Sequence, residues 1–360
     1  MLDSRPNDLP VDRRVPVPDT VEELLTPGWL SAALGTRFPG VEVTAVSPGP
    51  VVSRVSTNIR FRIECAGPLP EGLSPHLCAK GYFTEAGRVA RGGGVPEAGF
   101  YRDLVDRLDV RTLRCVYADV DPQTLDSVII TEDVAVHGAT FLDGRSRYTP
   151  DQTADTLEQL ARLHASAWGD PALTAVGWLR PRLESHLAHR GVKEIRGNFE
   201  SEIGAGVPAE VRDARRLADA YRALAAQAKN ASPWTVIHGD PHVGNIYLDG
   251  AGQPAFLDWQ LAQLGPWYLD VGYHIASTLT VADRRRTERD LLRHYLDRLR
   301  AAGIDPPSWD DAWTAIRQGI LHGFFLWGIT LKVDPAVTRV LLERLGTAAA
   351  DHDAFASVGA

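Results

Sequence analysis

Lysine is scarce in this 360-residue chain: of 38 basic residues only Lys80, Lys193, Lys229 and Lys332 are lysine, and the rest are arginine. A compact ammonium is not the ordinary positive charge here, so Lys80, at the end of an apolar run, stands out. Cysteine is scarcer still. Cys65, Cys78 and Cys115 make an odd count without disulfide or metal-ligand spacing, which excludes a disulfide-stapled scaffold and points to a reducing cytoplasm. Long apolar runs are missing. The longest, 320–331, contains His322 and is too short for a bilayer, so no membrane partner is expected. The first eight residues lack the apolar core of a signal peptide. Excess positive charge is also absent. The formal net charge is −8, which speaks against nucleic acid as the main partner, because binding a phosphate backbone needs a basic surface. What remains is an ordinary globular composition, 44% hydrophobic and 23% charged, at a length that suits two lobes.

Residues 1–19 are proline-rich and aperiodic and read as a mobile tail. Thr26-Pro27 supplies an N-cap and a first-turn proline for a short helix that Gly35 closes. The stretch 41–83 reads as strands: Ile59-Arg-Phe-Arg-Ile63 alternates strictly, and 77–83 is a second half-buried run. Arg91-Gly-Gly-Gly94 reads as a flexible breaker, and Pro96-Glu97 opens a helix running to Leu108. Strands are expected at Val116 and at 127–130. From about residue 135 the pattern becomes helical, with helices expected over 151–168, 209–229, 283–302, 309–331 and 334–350. Short strands are expected at 234–238, 246–248 and 255–257. The expected fold class is therefore α+β: a small β-rich lobe over 20–134, then a large helical lobe over 135–360.

The loop-rich patch carries the chemistry. An apolar strand delivers His238 and Asp240 to a turn. Asn245 follows five residues later at the start of the next strand, and a hairpin returns to place Asp258 at its end. Two carboxylates and an amide oxygen at neighbouring strand ends suit phosphoryl transfer. Asp240 would accept a hydroxyl proton, and Asn245 with Asp258 would hold Mg²⁺, which takes hard oxygen ligands. Lys80 is the candidate charge for the nucleotide phosphates, and Glu97, in the first turn of the next helix, the candidate carboxylate to hold it.

These residues resemble the aminoglycoside-phosphotransferase-like small-molecule kinases, which share the two-lobed protein-kinase-like fold. The resemblance covers about residues 20–345. His238-Gly-Asp240 through Asn245 is similar to that family's catalytic loop, and Leu257-Asp258-Trp259 to its metal-binding segment. The stretch from Gly265-Pro266 to Asp270-Val-Gly is similar to the segment downstream, and Leu160-Ala-Arg-Leu-His164 to the helix after the hinge. The run Ser127-Val-Ile-Ile-Thr131-Glu-Asp133 resembles the hinge that meets adenine, implying nucleotide contacts near Thr131 and Asp133. A phosphate loop within 47–58 has only Gly49, leaving Ser53, Ser56 and Thr57 to meet phosphate, with Ser56 the candidate carried forward. Thr26-Pro27-Gly-Trp29-Leu30 and the wording of the catalytic loop resemble the choline- and ecdysteroid-kinase-like branch. Gln260 departs from the glycine that protein kinases have there. The resemblance implies a cytoplasmic kinase with Mg²⁺ and ATP or GTP. Its partner is a small-molecule hydroxyl acceptor, such as an aminoglycoside, another antibiotic or an amino or steroid-like alcohol.

Plainer readings stand beside these. His238, Asp240, His242 and Asp258 could form a hydrolytic metal cluster. The chain could also bind nucleotide without transferring phosphate. His238 is expected to brace the loop, His242 to be a surface turn residue, His164 to pack in the core and Asp270 to be structural. The aromatic residues of 309–327 are expected mostly in the core, with a few lining an acceptor pocket.

Overall fold

The computed structural model describes residues 15–360. Its contacts divide the chain into two units: 15–107 with Thr112–Ala139, and Leu108–Arg111 with Thr140–Ala360. Of the expected tail, residues 1–14 lie outside the described residues. Residues 15–19 are held on the first unit. Val15 and Val17 pack on its core, and the Trp29 indole donates to the Pro16 carbonyl at 2.7 Å.

The first unit opens with α1 (Val21–Leu24) and α2 (Pro27–Gly35), the latter capped by the Thr26 hydroxyl and started by Pro27 as expected. Five antiparallel strands follow: β1 (Val43–Ser53), β2 (Thr57–Cys65), β3 (His76–Gly81), β4 (Cys115–Val120) and β5 (Ser127–Glu132). Their spatial order is β1-β2-β3-β5-β4. The β2 alternation holds: Ile59, Phe61 and Ile63 are buried while Arg60 and Arg62 are not. Phe61, Ile63, Leu77, Val128 and Ile130 share a core with Leu30, Ala33 and Leu34 of α2. Between β3 and β4 lie α3 (Glu85–Arg88) and α4 (Val95–Gly99). The Arg91–Gly94 segment is not the expected flexible breaker. It is a 3-10 turn that runs straight into α4, and Gly94 is packed so tightly that a Cβ would lie 2.3 Å from the Ser127 hydroxyl. The helix from Pro96 also ends short of Leu108, changing to a π turn over Phe100–Leu104 and a 3-10 turn over Val105–Arg107.

The second unit is mainly helical. It contains β6 (Thr140–Phe141), α5 (Pro150–Ser166), α6 (Leu183–His189), α7 (Val192–Glu200) and α8 (Ala214–Ala228). After these come β7 (Thr235–Ile237), β8 (Ile246–Leu248), β9 (Pro254–Phe256) and β10 (Gln263–Gly265), then α9 (Tyr268–Thr278), α10 (Val281–Ala301), α11 (Trp309–Gly328) and α12 (Pro335–Asp351). Thr149 and Gln152 form a full capping box on α5. The helix expected from 209 begins at Ala214, because a separate 3-10 turn occupies Ala209–Val211 and Asp213 caps the helix. The core gathers Leu217, Tyr221 and Leu224 of α8, Tyr273 of α9, Phe324 and Phe325 of α11, and Leu341 and Leu345 of α12. Helices α6, α7 and α9 and strands β6 and β10 were not expected from the pattern. Ten of the eleven α9 residues are buried, so α9 shows no amphipathic stripe to read.

Candidate active site

Strand β7 pairs with β10, Ile237 opposite Gln263, and its end launches the loop 238–245. Gly239 turns the chain at φ +81°, where a Cβ would lie 2.3 Å from the Leu261 carbonyl oxygen, so only glycine fits. Asp270 is fully buried and accepts from the backbone N–H of His238 at 2.7 Å and of Gly239 at 2.8 Å. Burial alone would raise its pKa, but His164, His238 and these donors outweigh it and hold the carboxyl below the usual range. Its role is structural, as expected. His164 links Asp270 to the Tyr295 hydroxyl within the core. Nδ1 of His238 accepts from Asp240 N–H at 3.2 Å, and its Nε2 donates to the Leu257 carbonyl at 3.1 Å. Both ring nitrogens are thereby engaged in bracing the loop, which leaves none for a hydrolytic metal cluster.

Asp240 stands at the centre. Its Oδ1 accepts the Tyr273 hydroxyl at 2.7 Å. Its Oδ2 accepts Asn245 Nδ2 at 3.1 Å and lies 3.6 Å from His242 Nε2. Burial pushes the carboxyl up, yet the charge and hydrogen bond of His242, with the Tyr273 hydroxyl, win and bring it down to about 2. It is thus an ionised carboxylate with a quarter of its side chain exposed. His242 is not a surface turn residue: it is 9% exposed, and its Nδ1 accepts from Gly244 N–H.

Asn245 is buried, and its amide nitrogen also donates to the Asp240 carbonyl at 2.8 Å, which leaves the amide oxygen for another partner. In the β8–β9 hairpin Ile246 faces Phe256, and Leu257 N–H donates to the Asn245 carbonyl at 3.0 Å. Asp258, next along, therefore springs from a backbone position beside Asn245. It sits in the left-handed region at φ 63°, which costs most non-glycine residues about 1 kcal/mol or more. An amide oxygen and a carboxylate at adjacent strand ends form a hard donor set that fits Mg²⁺ with waters completing its shell.

In the β-rich unit, Lys80 on β3 faces Asn58 on one side and Ile129 on the other. Its Nζ lies 2.6 Å from Glu97 Oε2, and the two side chains are 15% and 5% exposed. The expected pair is therefore formed, on a sheet strand and in the first turn of α4. Ser56 lies in the tight hairpin turn between β1 and β2, where its carbonyl accepts from Arg54 N–H. Gly49 sits further down β1 at an irregularity in the pairing. The Thr131 hydroxyl donates to the Cys78 carbonyl at 3.5 Å. Asp133 caps a turn through Ala135 N–H and pairs with Arg60 at 3.5 Å. The side chains of Thr131 and Asp133 are thus committed to local structure.

Two site residues escaped the sequence reading, Tyr273 and Trp327, whose indole donates to the Tyr273 hydroxyl at 2.6 Å. A signal existed for the first. Asp270, Tyr273 and His274 stand at i, i+3 and i+4 on one helix face. They meet the loop in order: Asp270 at 238 and 239, Tyr273 at 240, and His274 at the Pro241 carbonyl, 2.6 Å away. Polar groups spaced this way within an apolar helix mark a face that reads the loop.

A β-rich unit with a buried lysine–glutamate pair and a helical unit built around a strand-end aspartate are the marks of the protein-kinase-like phosphotransferases. The chain belongs to the phosphotransferase enzyme family, whose family model matches residues 94–312, more than half its length. Glu97, Asp240, Asn245 and Asp258 lie inside that stretch, and Lys80 precedes it. An ethanolamine kinase of Plasmodium vivax aligns at 13% identity with a TM-score of 0.50, over 84% of this chain and 81% of that one, which shows the shared fold. The GDP complex of wild-type aminoglycoside 2'-phosphotransferase-IIIa aligns at 14% identity and 0.48, over 91% and 99%. A choline/ethanolamine kinase family protein from Mesorhizobium loti aligns at 20% and 0.44, over 86% and 92%. No curated protein matches the chain in sequence. No helix among the described residues is long and apolar enough to cross a membrane.

Proposed function

We propose that the protein transfers the terminal phosphoryl group of ATP or GTP to a hydroxyl of a small molecule, with Asp240 as the proton acceptor. The observation that carries this reading is the Asp240 carboxylate, held ionised and partly open to solvent at the end of β7 beside Asn245. The acceptor hydroxyl would give its proton to Asp240 as its oxygen bonds to the γ-phosphorus. The bond from that phosphorus to the diphosphate oxygen breaks, and the nucleoside diphosphate leaves with the electron pair. Asn245 and Asp258 would hold Mg²⁺, which supplies positive charge against the phosphates. Lys80, fixed by Glu97, would add a compact charge to the phosphates. The segment from Thr131 to Asp133 would lie along the base, and Ser56 near the phosphates. Catalysis is then mostly positioning and charge stabilisation.

The three free cysteines suit the reducing cytoplasm, where nucleoside triphosphates are abundant. Candidate acceptors are aminoglycosides, macrolides and other antibiotics, choline- or ethanolamine-like amino alcohols, and steroid-like alcohols. The test is phosphoryl transfer from Mg-ATP or Mg-GTP to a panel of these alcohols, read by mass spectrometry alongside nucleotide-induced thermal shift. Transfer to one class, with a shift on adding Mg-nucleotide, is expected. Transfer to none together with no shift contradicts the reading.

A further inference from the structure

Asp240 meets Asn245 and His242 of its own loop, but its Oδ1 is held from elsewhere in the fold. Tyr273 on α9 donates to Oδ1 at 2.7 Å, and Trp327 on α11 donates to the Tyr273 oxygen at 2.6 Å. A phenol oxygen that receives the indole proton turns its own hydrogen toward the carboxylate. Burial, with the charge of Asp240, pushes the Tyr273 phenol well above its ordinary value, so it stays a neutral donor. Its ring is placed by the lack of a side chain at Gly323, where a Cβ would lie 2.3 Å from the ring. The same stretch of α11 holds the preceding residue of the loop. Nε2 of His322 donates to the Gly239 carbonyl at 3.0 Å, and a line of hydrogen bonds continues from His322 to Tyr221 and His186. Two helices downstream of the loop, α9 and α11, thus fix the backbone before Asp240 and one oxygen of its carboxylate.

We propose that Tyr273, oriented by Trp327, is a positioning residue for Asp240: it fixes the rotation of the carboxylate and directs Oδ2 to the acceptor hydroxyl. The proposal rests on the reading of Asp240 as proton acceptor. With Oδ1 engaged by Tyr273, Oδ2 is the oxygen beside Asn245 and His242. A carboxylate released from Tyr273 keeps only its Oδ2 contacts to Asn245 and His242 and can swing about its last torsion on that side, and small misplacement of a reacting group costs about 10- to 100-fold in rate.

The test uses the full chain. Tyr273→Phe keeps the ring against Gly323 and removes only the hydroxyl. Expected is a loss of turnover of about 10- to 100-fold, with KM for Mg-ATP within about twofold of wild type. Turnover is read with water as acceptor and with any alcohol that the panel yields. Trp327→Phe should lose less in the same direction. The double variant should lose no more than Tyr273→Phe alone, because both act through one hydroxyl. The Trp327 indole proton, assigned in the NMR spectrum with Trp327→Phe, should move in Tyr273→Phe and in Asp240→Asn. Wild-type turnover in Tyr273→Phe, additive losses in the double variant, or an unmoved indole proton would each overturn the positioning role. Should Tyr273→Phe fail to fold, Trp327→Phe and the indole shift in Asp240→Asn decide alone. Full turnover in Asp240→Asn, or none in wild type, instead removes the underlying reading and this inference with it.

Discussion

Lys80 and Glu97 meet at 2.6 Å with both side chains largely buried, so one charge cannot be removed without stranding the other. Arginine is abundant elsewhere in the chain, yet this position has lysine. A guanidinium is planar and broad, and the space beside Glu97 holds a compact ammonium. Lys80→Arg is expected to lower kcat about 100-fold while the fold survives. Wild-type kcat in that variant would show Lys80 to be an ordinary charge. The loop residues picked out from the sequence have partners near in the chain: Asp240, Asn245 and Asp258 follow a short spacing that strand–turn–hairpin geometry converts into adjacency. Tyr273 and Trp327 were not legible because their contacts span 33 and 54 residues, and each alone reads as an aromatic core position. The burial of His242 was hidden for a similar reason. Its neighbours include the Trp327 ring, 5.1 Å away and edge-on.

At the scale of elements, α9 is the brace of the catalytic loop. Its Asp270 accepts the backbone N–H groups of His238 and Gly239, and its His274 holds the Pro241 carbonyl. Asp270→Ala should leave the buried N–H groups of His238 and Gly239 unsatisfied, at about 1–3 kcal/mol each. Urea unfolding should show the loss, and a decrease below about 1 kcal/mol would contradict the brace. Strand β2, helix α2 and the hairpin of β8 and β9 were readable because period, cap and turn agree locally. Helix α9 was not, since it is buried all round and the usual alternation of polar and apolar faces is lost. The glycine run at 92–94 misled in the opposite direction: it forms a 3-10 turn leading into α4, and Gly94 packs closely against Ser127 and Tyr82.

Across the whole molecule, the helical unit keeps several histidines neutral inside. Burial takes His186 from 6.5 to about 3 and His274 to about 4, and lowers His238 and His322 as well. Below pH 6.5 the unfolded chain binds protons at these sites while the folded chain still refuses them. Stability is therefore complete above pH 6.5 and is lost as pH falls toward 4, by up to about 1.4 kcal/mol per pH unit for each such histidine. The urea midpoint should drop between pH 7.5 and 5.5, and an unchanged midpoint would contradict the buried neutral state. The division into a β-rich and a helical part was visible from the change of period near residue 135, and the structure divides the chain close by, with 108–111 joining the helical unit. In the proposed phosphoryl transfer, Asp240 takes the proton. The most direct measurement compares wild type with Asp240→Asn in the same mass-spectrometric transfer assay, with nucleotide binding followed by thermal shift. The predicted result is phosphorylated acceptor only with wild type and an equal nucleotide-induced shift in both proteins. Phosphorylated acceptor formed at the wild-type rate by Asp240→Asn would contradict the account.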